Sequence, residues 1–123
     1  MIFIVDDDHA TRDSLRLLLE CEGFEAKEFA SGRQFLDGDP LGDGDCLILD
    51  VHMPGMSGFE LVEKLRRRGD TVPVILISGR PDTAILNRAR AAGVFAFIEK
   101  PYTAEEIIDA IRVALKSWSG ASE

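Results

Sequence analysis

Three short apolar runs in this chain end abruptly at charged residues. They are residues 3–5 before the aspartates at 6–8, residues 46–49 before Asp50, and residues 94–98 before Glu99 and Lys100. Short apolar runs separated by helical patterns are typical of buried parallel strands, and ligands bind outside the carboxyl ends of such strands. The sequence therefore predicts that carboxylates and one lysine meet at one edge of a parallel sheet.

The segments between the apolar runs carry helix signals. Five helices are predicted to begin after N-cap residues, which are Asp8, Ser31, Ser57, Asp82 and Thr103. Apolar runs at residues 24–29 and 73–78 predict two further strands. The result is an α/β fold, a doubly wound five-stranded parallel sheet in the order 2-1-3-4-5 with five helices on two faces. We expect one domain over residues 1–118, with residues 119–123 as a tail or the start of a removed linker.

Composition argues against several classes of function. With 46% hydrophobic and 29% charged residues the chain is typical of globular proteins, and no apolar stretch approaches the length of a membrane helix. The net charge of −8 argues against direct binding of nucleic acid by this domain. The start of the chain lacks a basic signal-peptide region, so we expect a cytoplasmic protein with no membrane contact. Cys21 and Cys46 have no metal-binding or disulfide spacing and are predicted to be buried thiols.

The predicted sheet edge has the chemistry of a metal site. Asp6, Asp7 and Asp50 supply hard carboxylate oxygens, which suit a small cation such as Mg²⁺. Without a cation these carboxylates would repel one another and raise each other's pKa values. Lys100 is the one obvious fixed positive partner in the pattern.

Four motifs lie in order at the predicted strand ends. They are Val5-Asp6-Asp7-Asp8, Leu49-Asp50-Val51-His52-Met53-Pro54-Gly55-Met56-Ser57-Gly58, Ile77-Ser78-Gly79 and Phe97-Ile98-Glu99-Lys100-Pro101. With them the chain resembles, over nearly its whole length, the receiver domain of a bacterial two-component response regulator. The resemblance implies a flavodoxin-like (CheY-like) fold. It is strongest to receivers of regulators whose output is a helix-turn-helix transcription domain.

The resemblance implies a phosphoacceptor role for one aspartate. Asp50 would accept a phosphoryl group from a phosphohistidine on a sensor histidine kinase. Asp7, Asp50 and the backbone carbonyl of His52 would coordinate Mg²⁺, with Asp6 acting through a metal-bound water. Lys100 would offset the charge of the phosphoryl oxygens. Such a domain is a switch that catalyses only its own phosphoryl transfer and dephosphorylation.

The same resemblance implies how the switch would respond. Ser78 would hydrogen-bond a phosphoryl oxygen, Phe97 would turn inward with it, and the Lys100-Pro101 peptide would be cis. The surface of the fourth helix, fifth strand and fifth helix would then change, as the face for an output domain or a homodimer. His52 and Arg80 occupy positions where the family varies, and we expect them to tune the lifetime of the aspartyl phosphate.

A phosphatase of the haloacid dehalogenase type is the main alternative. Asp6, Asp8, Ser78 and Lys100 follow the motif order of that family, in which Asp6 would be the nucleophile. That family prefers Thr or Val where this chain has Ala10, and no second pair of aspartates follows Lys100. The aspartate that becomes phosphorylated, Asp50 or Asp6, distinguishes the two functions.

Two further patterns have simpler interpretations. A flavodoxin-like FMN site needs a Ser, Thr or Gly-rich loop after the first strand, where this chain has Asp7-Asp8-His9. The run Arg66-Arg67-Arg68 is interpreted as the solvated end of the third helix, where cations are favoured by the helix dipole. A binding role for these arginines is the alternative.

Overall fold

The computed structural model describes residues 1–38 and 41–117. Strands and helices alternate along them without a break. The strands are β1 (Ile2–Val5), β2 (Ala26–Phe29), β3 (Cys46–Asp50), β4 (Val74–Ser78) and β5 (Ala96–Glu99). The helices are α1 (His9–Cys21), α2 (Gly32–Leu36), α3 (Gly58–Arg67), α4 (Thr83–Ala91) and α5 (Ala104–Ser117).

All five strands form one parallel sheet in the order β2-β1-β3-β4-β5, as predicted. The register pairs Val5 with Leu49, and Ser78 with Glu99. Each strand therefore ends at about the same level, and the charged residues that follow the strands share one edge of the sheet.

Alternating side chains of the central strands face two separate cores. Ile48 and Ile75 pack under α1 and α5, whereas Leu47, Leu49 and Leu76 pack under α2, α3 and α4. Every residue of β3 and β4 is buried, because helices cover both faces of a doubly wound sheet. The predicted arrangement of helices on two faces is confirmed.

The helices begin where the sequence predicts. Asp8, Ser31, Ser57 and Asp82 each accept a hydrogen bond from a backbone N–H of the first helical turn. At Ser57 a full capping box is present, and Thr103 exchanges the same pair of bonds with the glutamate three residues later. These bonds satisfy N–H groups that a helix start otherwise leaves unpaired.

The glycine at the start of α3 is required by close packing. A Cβ at Gly58 would lie 2.6 Å from the carbonyl oxygen of Asp50 and 3.0 Å from Cα of Val51. The Gly58 amide also donates to the Val51 carbonyl at 2.9 Å. The helix is thus pressed against the end of β3, which fixes the backbone around Asp50.

Some sequence-based predictions differ from the structure. Strands β2 and β5 each begin two residues later than predicted. The amides of Phe24 and Val94 instead donate hydrogen bonds to the carbonyls of Leu19 and Ala89 in the preceding helices.

The two cysteines differ in exposure. Cys46 is buried as predicted, but Cys21 is exposed, so the prediction of a buried thiol was wrong for Cys21.

Cys21 is the last residue of α1 and lies off the face that buries Leu15 and Leu19. In the predicted turn-rich loop, residues 39 and 40 lie outside the described residues, as do residue 118 and the predicted tail at 119–123. The domain bounds of 1–118 and 119–123 therefore stay a prediction.

Candidate functional site

The carboxyl edge of the sheet brings together two buried carboxylates and a lysine. Asp6 follows β1 and is 4% exposed, and Asp50 ends β3 and is 7% exposed. Lys100 follows β5, and its Nζ donates to Oδ2 of Asp50 at 2.8 Å. The other carboxylate oxygen of Asp50, Oδ1, accepts a hydrogen bond from the His52 amide at 2.8 Å. The chain thus holds a buried carboxylate in a fixed orientation.

Asp6 is the most perturbed acid of the site. Burial raises the pKa of Asp6 to about 6, and the neighbouring Asp50 adds to the rise. The hydrogen bond from the Asp8 amide to Oδ1 of Asp6, at 2.9 Å, and the charge of Lys100 act in the opposite direction. Two carboxyl groups held this close favour a shared proton or a cation.

Lys100 is held in its charged form by these carboxylates. Burial alone lowers the pKa of Lys100, but the hydrogen bond to Asp50 and the charges of Asp50 and Asp6 outweigh burial, so the net shift is upward. Its side chain remains 32% exposed. The lysine can therefore neutralise charge that develops on Asp50 while part of its side chain stays accessible to solvent.

The sequence-predicted metal ligands are only partly gathered. Asp6 and Asp50 lie together, whereas Asp7 is exposed. Across the two described ranges, no three His, Cys, Asp or Glu side chains converge closely enough to hold a metal ion on their own. The donors still fit Mg²⁺, which prefers one or two carboxylates and keeps several waters. A backbone carbonyl, as predicted for His52, would complete such a set without a further side chain.

Ser78 is the last residue of β4, directly after Ile77, which pairs with Asp50, and it is fully buried. Its Oγ accepts a hydrogen bond from the Arg80 amide at 3.1 Å and lies 3.4 Å from Nε2 of His52. The His52 and Arg80 side chains themselves are exposed. Both predicted tuning residues therefore touch Ser78, one through its ring and the other through its backbone.

Phe97 lies in β5 and pairs in register with Leu76. It is partly buried and packs against the apolar core under α2, α3 and α4. The predicted switch residue thus occupies the margin of a core, where a change of rotamer alters the contacts of neighbouring helices.

Arg12 is a residue of the site that the sequence analysis missed. Its Nη1 donates to the backbone carbonyl of Asp6 at 2.8 Å, and its Nε donates to Glu28 at 3.1 Å. Arg16 holds the other oxygen of Glu28 at 2.7 Å, which lowers the pKa of Glu28. The arginines are one helical turn apart in α1, and Glu28 lies in the adjacent strand β2. In the sequence, the one sign of this network is the spacing of the two arginines. It indicates a contact with Glu28 only if β2 is known to lie beside α1.

The raised pKa of Asp6 leads to a prediction about stability. Asp6 of the folded protein keeps its proton up to about pH 6, whereas in the unfolded chain it loses the proton near the ordinary aspartate pKa of 3.8. The contribution of Asp6 to the free energy of unfolding is therefore greatest below about pH 4. It decreases by up to about 3 kcal/mol as the pH rises to about 6. Urea unfolding between these pH values should show this fall in the wild type and not in Asp6→Asn. Equal slopes in the two proteins would contradict the prediction.

Comparison with known families identifies the class of protein. Residues 2–112 match the family described as the response regulator receiver domain, and the chain belongs to that family. It is a receiver domain of the two-component response regulator type. Nothing in the comparisons supports the alternative of a haloacid dehalogenase-type phosphatase.

The chain is similar to several regulators. It is 44% identical over 117 residues to the response regulator protein TmoT of Ectopseudomonas mendocina. The aligned region covers 94% of this chain and 53% of TmoT. It is also 41% identical over 115 residues to the transcriptional regulatory protein FixJ of Azorhizobium caulinodans. That alignment covers 93% of this chain and 54% of FixJ. The chain spans about half the length of these curated relatives.

Solved structures give the same fold. The crystal structure of FixJ-N superimposes with a TM-score of 0.88 at 36% identity and covers 97% of this chain and 95% of that chain. The response regulator StyR superimposes with a TM-score of 0.86 at 39% identity and covers 94% of this chain and 58% of StyR. In the described part of this chain, no helix is long and apolar enough to cross a membrane.

Proposed function

We propose that this chain is a phosphorylation-driven switch in which Asp50 accepts a phosphoryl group from a phosphohistidine of a sensor histidine kinase. In this step an Asp50 oxygen forms the new O–P bond while the P–N bond to histidine breaks and the imidazole leaves. The observation that carries the proposal is the buried Asp50 carboxylate at the sheet edge, with Lys100 on one oxygen and the His52 amide on the other. Both contacts orient the nucleophile before a donor arrives.

Mg²⁺ is the proposed cofactor. Asp7, Asp50 and the backbone carbonyl of His52 would hold the ion, with Asp6 acting through a bound water. When bound, Mg²⁺ supplies positive charge to the phosphoryl oxygens and removes the repulsion between the carboxylates. The raised pKa of Asp6 supports this set of ligands, because it shows that Lys100 alone does not offset the burial and mutual repulsion of the Asp6 and Asp50 carboxylates.

Ser78 and Phe97 are the proposed switch residues. The Ser78 Oγ already accepts a bond from the Arg80 amide, so its own proton is available for a phosphoryl oxygen on Asp50. Forming that bond would replace the 3.4 Å contact with His52 and draw the β4–α4 loop toward Asp50. Phe97 would then move further into the core, which changes the face formed by α4, β5 and α5. In this scheme His52 and Arg80 tune the phosphate lifetime, which the dephosphorylation rates of His52→Ala and Arg80→Ala would test.

The partners follow from the receiver class. The proposed partners are a sensor kinase as donor and an output domain or second copy on the α4, β5 and α5 face. Relatives named as transcriptional regulators support a transcriptional output, with a helix-turn-helix domain as the proposed effector. The net charge of −8 supports a domain that does not itself bind DNA. The domain is a switch rather than an enzyme, since it turns over only its own phosphoryl group.

Intact-mass spectrometry with acetyl phosphate tests the proposal, because a small donor replaces the unknown kinase. One phosphoryl adduct is expected with Mg²⁺ and none with EDTA. Borohydride reduction and trypsin then assign the site, since Asp6 falls in the peptide of residues 1–12 and Asp50 in the peptide of residues 34–64. Modification of residues 34–64 at Asp50 supports the proposal. Modification at Asp6, or no adduct on folded protein, would overturn it.

A further inference from the structure

A groove between α3 and α4 is lined by none of the residues of the proposed phosphorylation site. It encloses about 390 Å³. Phe59 and Val62 form its buried apolar floor, and Ala91 and Ala92 line its α4 side. A groove of this volume can receive one or two apolar side chains from a partner.

The rim of the groove is basic in a strongly acidic protein. Arg66, Arg67 and Arg88 line it against a single acid, Glu63. Neither Arg67 nor Arg88 forms an ion pair with any residue that the structure describes. The chain as a whole carries a net charge of −8. A local excess of positive charge on such a surface attracts and orients an acidic partner.

Two of these arginines are held in place. Arg66 donates through Nη1 to the backbone carbonyls of Asp70 and Val72, at 3.0 and 3.1 Å. The guanidinium of Arg88 lies 4.5 Å from the centre of the Phe59 ring. A guanidinium above an aromatic ring is stabilised there and keeps N–H donors free to bind a carboxylate. Less side-chain entropy is therefore lost when an acidic group binds.

We propose that this groove docks an acidic segment of a partner protein that carries apolar side chains between its carboxylates. The carboxylates would bind Arg67 and Arg88, and the apolar side chains would pack on Ala91 and Ala92. The apolar floor favours a peptide over nucleic acid, and the negative charge of the domain opposes a long polyanion. Arg67 is exposed in the last turn of α3, as the solvated helix end predicts, and the proposal adds for it the binding role that was the alternative.

Synthetic peptide pools test the proposal on the full chain. Each pool has about eight residues per peptide, which span roughly 25 Å when extended. The first pool is built from Asp, Glu, Leu and Phe. The second replaces the acids with Asn and Gln, and the third replaces the apolar residues with Ser and Gly. Amide NMR spectra at about 50 mM salt, where screening is weak, follow the signals of α3 and α4.

Only the first pool is expected to shift the signals around Val62 and Ala92 in a saturable way. The double substitution Arg67→Glu with Arg88→Glu should weaken this binding at least about tenfold. Arg33→Glu, a single charge reversal at an exposed arginine in α2, is the control and should change it less than about twofold. Equal shifts with the amide pool, no shifts with the first pool, or tighter binding of a DNA duplex at the same arginines would each overturn the proposal.

Discussion

Asp50→Asn should abolish formation of the phosphoryl adduct. The substitution keeps the shape of the side chain and removes the nucleophilic carboxylate that Lys100 and the His52 amide hold in place. An amide oxygen carries no full negative charge to form the new bond, so positioning alone does not rescue the reaction. We expect the adduct to fall below detection by intact-mass spectrometry with acetyl phosphate and Mg²⁺.

Two control variants define what this loss means. Asp6→Asn should still form the adduct, at a lower rate, because it retains Asp50. Asp109→Asn, an exposed acid on α5, should behave as the wild type. Thermal unfolding would show that each variant is folded. An adduct that persists in Asp50→Asn and disappears in Asp6→Asn would show that the phosphoacceptor has been misassigned.

The sequence carried most of the fold because its local and long-range signals agree. Ser57 marks the start of α3 by its capping box, and the same helix start is pressed on β3 through Gly58. The runs at residues 46–50 and 74–78 are apolar almost throughout, which is typical of strands covered on both faces. When the capping residues, the spacing of apolar residues and the turn residues all favour the same structure, few other folds are compatible with the sequence.

The contacts inside the site were less predictable. That Asp6 and Asp50 meet follows from strand order, but the exposure of Asp7 depends on the path of a single turn after β1. The bond from Arg12 to the Asp6 carbonyl depends on how α1 lies beside β2. A solvent-facing Cys21 likewise depends on which side of the last turn of α1 meets the core. Such details are set by packing between elements, which periodicity alone does not specify.

Lys100→Gln should slow phosphorylation of Asp50 by about 100-fold. The lysine Nζ lies 2.8 Å from Oδ2 of Asp50, so it is placed to offset negative charge as the phosphoryl group arrives. Glutamine keeps a polar end on a side chain one atom shorter and removes the charge. The rate of adduct formation with acetyl phosphate at saturating Mg²⁺ measures the effect.

The metal affinity separates this charge effect from damage to the site. Lys100 competes with a cation for Asp50, so Mg²⁺ should bind Lys100→Gln at least as tightly as the wild type, as calorimetry can measure. Lys64→Gln, an exposed lysine on α3, controls for the loss of one positive charge from the chain and should react at the wild-type rate. A wild-type rate in Lys100→Gln would mean that the ion pair with Asp50 serves only the resting structure. A slow rate with intact Mg²⁺ binding would mean that the lysine acts on the transferring group, because the carboxylates and the metal would then be unchanged.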